Sequence, residues 1–568
     1  MAIPVNGRSM LRRATVLCAV LAAMAYHQAA AATVDVRPGA LPPPIRIAME
    51  PMGFQQPSGG FLLRGGSGLT VDFVDNDHVL LTFQSHGVIK RAADEQPGDD
   101  DHMVEALLLE LPTGKVLART EWRLHDTLQY LWNIGHGRFL LRVRDKLTML
   151  APLERLASGD AFRGTPVLDL SSNGNSRHIV ALILSSNEDL LTLETTQQQQ
   201  APDGAESHVS FSGGESAVQI NFYRLDIVPD GFHAQLAGIV HAQEPIKVPM
   251  TRAGILDILP DGKNRWLFNF NEHAGKVDEL AEWDTTCFPR ATFVSHSEFV
   301  AFGCRGSDDA PEIAGFNMKG EEMWEQRLYE NFVSPGNFAF APSAGRFVLE
   351  RTLVNGDIDS SFGLTQALAG GEEVRVYQTE TGKILLKVNV LPVERAGGNF
   401  ALSPDGMRLA TFDQTSQRKT SRIGDTYMET LTSLVVYPLP PLSVKVRAQI
   451  DQMEANAPAD NGARIDAALM RIGREQQAGA ASQAPKLPVA AAVVNPEASS
   501  NSGDVSVNTA PADEKEPGNP ALMGQLPDAP GLGAAANVSD EEQSGQHGPP
   551  TLYQPGETPQ TAPRKKPE

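Results

Sequence analysis

A chain of 568 residues with 48 basic and 69 acidic side chains, a net charge of −21, repels phosphate backbones and anionic lipid, which argues against nucleic acid as its partner. Its 41% apolar content is enough for a core, yet helical patterns are scarce before Val444, so the length reads as one repeat body rather than several α/β domains.

The N-terminus carries "MLRRATVLCAVLAAMAYHQAAAA". Arg12 and Arg13 form a basic start, the apolar run after them is shorter than the ~20 residues of a spanning helix, and the alanines at 29–32 offer cleavage sites. Residues 1–32 are therefore expected to be a signal peptide, which places the protein outside the cytoplasm, periplasmic or extracellular. Cys18 lacks the small residues that a lipoprotein signal places before its cysteine, so no lipid anchor is expected. Residues 33–59 read as an extended segment, and a strand near 43–49 or 60–63 would be placed to close a ring.

From residue 60 to 443 one pattern recurs. An apolar strand, a short turn rich in Asp, Asn, Gly or Ser, and a second apolar strand appear at 69–83, 128–143, 167–184, 254–270, 291–304, 337–351 and 399–414. A second hairpin type surrounds Thr113-Gly114-Lys115 and Thr381-Gly382-Lys383, where glycine supplies the positive φ of a tight turn. Neither Gly-Lys pair has the earlier glycine or the following Ser/Thr of a phosphate loop. Residues 91–102 and 197–214 read as insertions between strands. Four short strands per unit with almost no helix predict an all-β fold, a β-propeller of about seven four-stranded blades.

The "LSPDG" of residues 402–406, followed by an apolar strand, resembles the repeat of WD40-like and TolB-like propellers of exported bacterial proteins. The resemblance spans roughly residues 60–445 and implies a tendency toward protein binding without naming a partner. The chain departs from eukaryotic-type WD40 repeats: it has one Trp-Asp pair, Trp283–Asp284, and no Gly-His pairs spaced for the blade hydrogen-bond network.

Residues 444–478 turn helical. Ile465, Ala468, Leu469 and Ile472 share a helix face and Asn461 is placed to cap it, so a short helical hairpin or extension packed on the propeller is expected. Residues 479–568 are rich in Pro, Ala, Gly, Ser and Gln and bury too little to offset their ordering entropy, so this tail is expected to be disordered.

No local motif marks a catalytic, cofactor or metal site. G-x-S-x-G and H-E-x-x-H are missing, and the histidines lie at no metal-ligand spacing. The acidic "GDDDH" at 98–102 and the alternating Asp357 and Asp359 read as solvated loop tips. Cys287 and Cys304, the two cysteines left after signal cleavage, end neighbouring strand-like segments and are expected to form a disulfide, worth about 3 kcal/mol of loop-closure entropy. The function expected is a non-enzymatic binding or scaffolding module for a protein or envelope partner. The alternative is a channel-centred, metal-assisted hydrolase of lactonase-like type whose residues come from different blades. Three or four carboxylates, Asn or His converging around a metal in the channel would favour it, and an apolar or simply charged mouth would favour binding.

Overall fold

The computed structural model describes residues 41–55, 68–85, 101–125, 129–170, 177–197, 218–228, 231–242, 246, 248–305, 310–328, 332–333, 337–354, 369–392, 398–420 and 426–483. Residues 1–32, expected from the sequence to be a signal peptide, both expected insertions for the most part, residues 98–100, Asp357, Asp359 and the chain beyond 483 lie outside them.

Each strand pairs antiparallel with the next, and the pairings sort into seven small sheets. Blade 1 holds Thr70–Phe73, His78–Ser85, His102–Glu110 and Lys115–Leu124. Blade 2 holds Leu131–Asn133, Phe139–Val143, Lys146–Leu150 and Thr165–Asp169; blade 3 holds Arg177–Leu184, Leu190–Gln197, Val218–Val228 and Gly231–Ala242. Blade 4 has three regular strands, Gly254–Pro260, Arg265–Glu272 and Val277–Asp284. Blade 5 holds Arg290–Phe293, Glu298–Arg305, Ala310–Asn317 and Glu322–Arg327, and blade 6 holds Phe338–Ala341, Arg346–Val354, Ala369–Gln378 and Lys383–Val390, with Phe332–Val333 as an extra edge. In blade 7, Phe400–Leu402, Arg408–Thr420 and Thr426–Pro438 are completed by Ile45–Ala48 from the N-terminal segment, which pairs with Ser433–Val436. The first and last parts of the sheet region thus share one blade, which closes the ring. This is a seven-bladed β-propeller.

Two of the repeat units are phased differently from the sequence reading. In the 167–184 run, Val167 belongs to Thr165–Asp169, the exposed outer strand of blade 2, while Arg177–Leu184 opens blade 3. The two arms never pair, because their burial differs: one is an edge and the other lines the ring. The hairpin at 254–270 supplies the second and third strands of blade 4, not the first and second. Its innermost element is an irregular stretch at Met250, bridged to Ile255, with Leu256 N donating to Pro249 O at 2.9 Å. Pro249 has no N–H to donate to a ladder, so this stretch stays short of a regular strand.

The core is divided among the seams. Seven apolar clusters each join two adjacent blades, as in the seam of blades 4 and 5, where Phe268, Phe293, Phe299, Phe316 and Trp283 meet. Phe299 stacks on Phe316 with centroids 5.1 Å apart. Burying each such side chain contributes roughly 1.5–3 kcal/mol, so every seam holds its two neighbours firmly.

The seam of blades 3 and 4 borrows from the C-terminus. Ile465, Ala468 and Ile472, all on one face of the helix Ile465–Gln483, are buried against Leu190, Ile220, Phe222 and Ile255. Gly238 permits this approach, since a Cβ there would lie 2.8 Å from the backbone N of Asp466. Asn461 is not the helix cap: the helix begins four residues later, and Asn461 Oδ1 accepts from Ala463 N in the preceding turn. An earlier helix, Val444–Glu454, is capped by Ser443, whose side chain accepts from Val446 N. It docks on blade 6, where Arg447 Nη1 donates to Ser343 O at 2.9 Å and Ile450 is buried. The two helices therefore occupy different blades.

Candidate functional site at the lower channel mouth

The first strands of the blades surround the central channel, and the turns that join first to second strands gather on one face, called lower here. They are residues 74–77, 134–138, 185–189, 251–253, 294–297, 342–345 and 403–407. The "SPDG" of residues 403–406, in blade 7, is one of these turns: Ser403 Oγ bonds Asp405 Oδ1 at 2.6 Å, and Gly406 takes φ 67°.

Polar and titratable side chains from five blades meet at this mouth. Asp72 is the penultimate residue of the first strand of blade 1 and lies beside Asn133 of blade 2, which donates to Phe73 O at 3.1 Å and accepts from Gly135 N. Burial pushes the Asp72 carboxyl up to about 7; the nearby Glu188 of blade 3 adds to the rise and the Asn133 hydrogen bond opposes it. Burial likewise raises Glu188 to about 7, with Asp189 contributing. Glu188 holds φ 60°, a left-handed backbone that costs a non-glycine residue and that recurs at functional turns. Both carboxyls keep partial exposure although protein surrounds them, as expected for groups facing a channel. Among the described residues no basic side chain forms an ion pair with either.

Asp189, next in the chain, is held tightly. Ser185 Oγ donates to its Oδ1 at 2.9 Å, and His296 Nε2, from the corresponding turn of blade 5, meets its Oδ2 at 2.6 Å. Arg252, in the turn of blade 4 between them, pairs with Asp226 at 2.8 Å and with Asp460 at 3.1 Å. Asp460 comes from the stretch between the two C-terminal helices and also meets Arg224 at 3.0 Å. Burial alone would raise the Asp460 carboxyl, but the Gly462 N–H together with Arg224 and Arg252 holds it below the usual range. The C-terminal stretch is thus clamped to the lower face by charge.

The residues singled out in the sequence lie elsewhere. Cys287 and Cys304 form a disulfide, Cα–Cα 5.4 Å, that ties the exit of blade 4 to the second strand of blade 5. Asp101 meets His125 at 2.6 Å and also Arg123, so it is engaged in an ion-pair cluster. Trp283 and Asp284 line a rim cleft of about 380 Å³ with Arg265, Glu282, Arg305 and Glu325. Among the described residues no group of three or more His, Cys, Asp or Glu side chains is arranged to hold a metal ion. Sequence reasoning missed Asp72, Glu188, Asp189 and His296. The one signal available was their place in the recurring turn, at or beside the end of a first strand.

No family model and no curated protein matches this chain. Among solved structures it is similar to oligogalacturonate lyase in complex with manganese, at 11% identity over 66% of this chain and 97% of that one, with TM-score 0.33. Oligogalacturonate lyase from Vibrio parahaemolyticus matches at 11% identity over 64% and 96%, TM-score 0.31. Prolyl oligopeptidase B from Galerina marginata matches at 13% identity over 65% of this chain, TM-score 0.29, and the chain spans 46% of that protein's length. At these values the likenesses carry nothing about activity, and the propeller rests on its own strand pairing.

Proposed function

We propose that the protein is an exported propeller of WD40-like or TolB-like type that acts as a binding module for a protein or envelope partner, and that its lower channel mouth receives a basic group of that partner. The observation that carries this reading is the Asp72–Glu188 pair, two half-buried carboxyls that repel each other beside the first-strand turns, with no ion-paired base among the described residues. A lysine or arginine entering the channel would relieve their mutual repulsion and favour their ionised forms. Seven packed seams keep the mouth rigid while the surrounding turns vary, which suits recognition. Export agrees with the Cys287–Cys304 disulfide, and among the described residues no helix is long and apolar enough to cross a membrane.

The test is binding of a lysine-rich peptide, measured by fluorescence anisotropy, to the wild type and to the Asp72→Asn/Glu188→Gln variant. Affinity is expected to rise between pH 6 and pH 8 as the carboxyls ionise, and to fall at least about tenfold in the variant. Equal binding by both proteins would remove the channel mouth from the reading.

A second reading, the channel-centred hydrolase, is favoured by the same pair. Two carboxyls with pKa values near 7 suit a general acid and a general base. Hydrolysis of a lactone or ester panel, abolished by Glu188→Gln, would establish it.

A further inference from the structure

Blade 7 differs from the others in the reach of its middle hairpin. Arg408–Thr420 and Thr426–Pro438 are thirteen residues each, whereas the strands flanking them, Phe400–Leu402 and Ile45–Ala48, have three and four. Phe400–Leu402 covers only Leu409–Thr411, and Ile45–Ala48 covers only Ser433–Val436. The last backbone contacts on either side are Leu391 N to Phe412 O, 3.4 Å, and Met49 N to Thr432 O, 3.0 Å. Past these points the hairpin continues in register, Thr415 opposite Leu431 through Thr420 opposite Thr426. Six further residues per strand make an arm of about 20 Å.

Among the described residues nothing pairs with either edge of this arm. The described arm has no proline and its register has no bulge, so the backbone groups along its edges stay available, and its only edge protection is the charged trio Arg418, Lys419 and Glu429. Residues 415–420 are all exposed, as are Tyr427 at 50% and Met428 at 62%. Lys419 is paired with Glu429. Arg418, opposite Met428 in the register, has no acidic partner among the described residues. The arm therefore offers an unspent positive charge and a free strand edge on a chain whose net charge is −21.

We infer that the arm is a docking edge for strand addition, and that its occupant is an extended, acidic segment of a partner pairing with residues 415–420 and placing a carboxylate opposite Arg418. Backbone hydrogen bonds along the edge supply affinity, and the charge selects the sequence. The inference rests on the binding-module reading and adds a second surface to it, remote in the fold from the lower-face turns.

The probe is a pair of synthetic octapeptides, alternating Thr/Glu and alternating Thr/Lys, with amide hydrogen exchange and fluorescence anisotropy as readouts. The Thr/Glu peptide is expected to slow exchange at residues 415–420 and to bind at least tenfold more tightly than the Thr/Lys peptide. Arg418→Glu is expected to reverse that preference. A shortened variant, with Asn-Gly joining Gln414 to Thr432, which face each other in the register, is expected to keep its melting temperature and to lose binding. Equal binding of both peptides, no protection of the edge, or arm-dependent self-association without peptide would overturn the proposal, the last by assigning the edge to a second copy. Loss of lysine-peptide binding in Asp72→Asn/Glu188→Gln, with the Thr/Glu preference intact, would leave both surfaces standing. An intact channel response with no arm response would sink the arm alone, and the converse would sink the channel reading alone.

Discussion

His296 Nε2 and Asp189 Oδ2 meet at 2.6 Å although 107 residues separate them in the chain and blade 4 lies between their own blades. Between the two turns in chain order lies the irregular stretch around Met250, held to blade 4 by a single bridge to Ile255. The turns of blades 3 and 5 are joined directly, and Arg252 of blade 4 reaches Asp189 only at 4.0 Å.

Replacing His296 with Ala removes a partner from a largely buried carboxylate. Because the imidazole itself is 39% exposed, the expected loss is modest, roughly 0.5–1.5 kcal/mol. Urea unfolding should show a lower midpoint with an unchanged slope, and an unchanged midpoint would mean that Arg252 and Ser185 hold Asp189 alone.

The C-terminal helix is expected to be part of the propeller's stability. Ile465 is fully buried between blades 3 and 4, so Ile465→Ala should cost about 2–5 kcal/mol. Hydrogen exchange should then rise first in Gly231–Ala242 and Gly254–Pro260, the strands under the helix. Met470→Ala, on the exposed side of the same helix, should change little.

Stability should fall as pH rises from about 5 to about 8. Glu298 is pushed up to about 8 by burial, with Glu380 and Glu454 adding to it, and Glu380 is raised to about 7 by burial. These two, like Asp72 and Glu188, bind protons more tightly folded than unfolded. Their contribution is complete below the ordinary carboxyl range and is lost as pH passes through the folded values. Asp101 and Asp466 are held low by their Arg and His partners, and their contribution is lost at acid pH instead. A melting curve against pH should therefore peak on the acid side of neutral, and Glu298→Gln should flatten its alkaline limb. A melting temperature that climbs steadily to pH 8 would refute the sign.

Replacing both Cys287 and Cys304 with Ser should cost about 2–4 kcal/mol, since the bond closes a short loop between blades 4 and 5. The same shift should follow reduction of the wild type. Neither treatment should alter peptide binding at the lower mouth, because the disulfide lies beside the upper ends of those strands.

Much of the fold was legible because a hairpin is a local event. Asn399 to Gln414 predicts a strand, a Ser-Pro-Asp-Gly turn and a strand, and Phe400–Leu402 and Arg408–Thr420 pair around that turn. Thr113-Gly114-Lys115 and Thr381-Gly382-Lys383 behave likewise, with Gly114 at φ 69° and Gly382 at φ 63°. Both errors of phase arose where local signals are ambiguous. Val167 alternates like a ring-lining residue but sits on an edge, and Met250 sits in a first strand too irregular to announce itself.

By itself, the sequence determined that this chain forms a ring of antiparallel hairpins with one disulfide and a helical C-terminal extension, because alternation, turn chemistry and cysteine count act over a few neighbouring residues. Only the tertiary structure decided that Asp72, Asn133, Glu188, Asp189, Arg252, His296 and Asp460 share one channel mouth. Closure of the propeller brings turns from separate blades to a common axis. No spacing along the chain records which of their side chains will meet there.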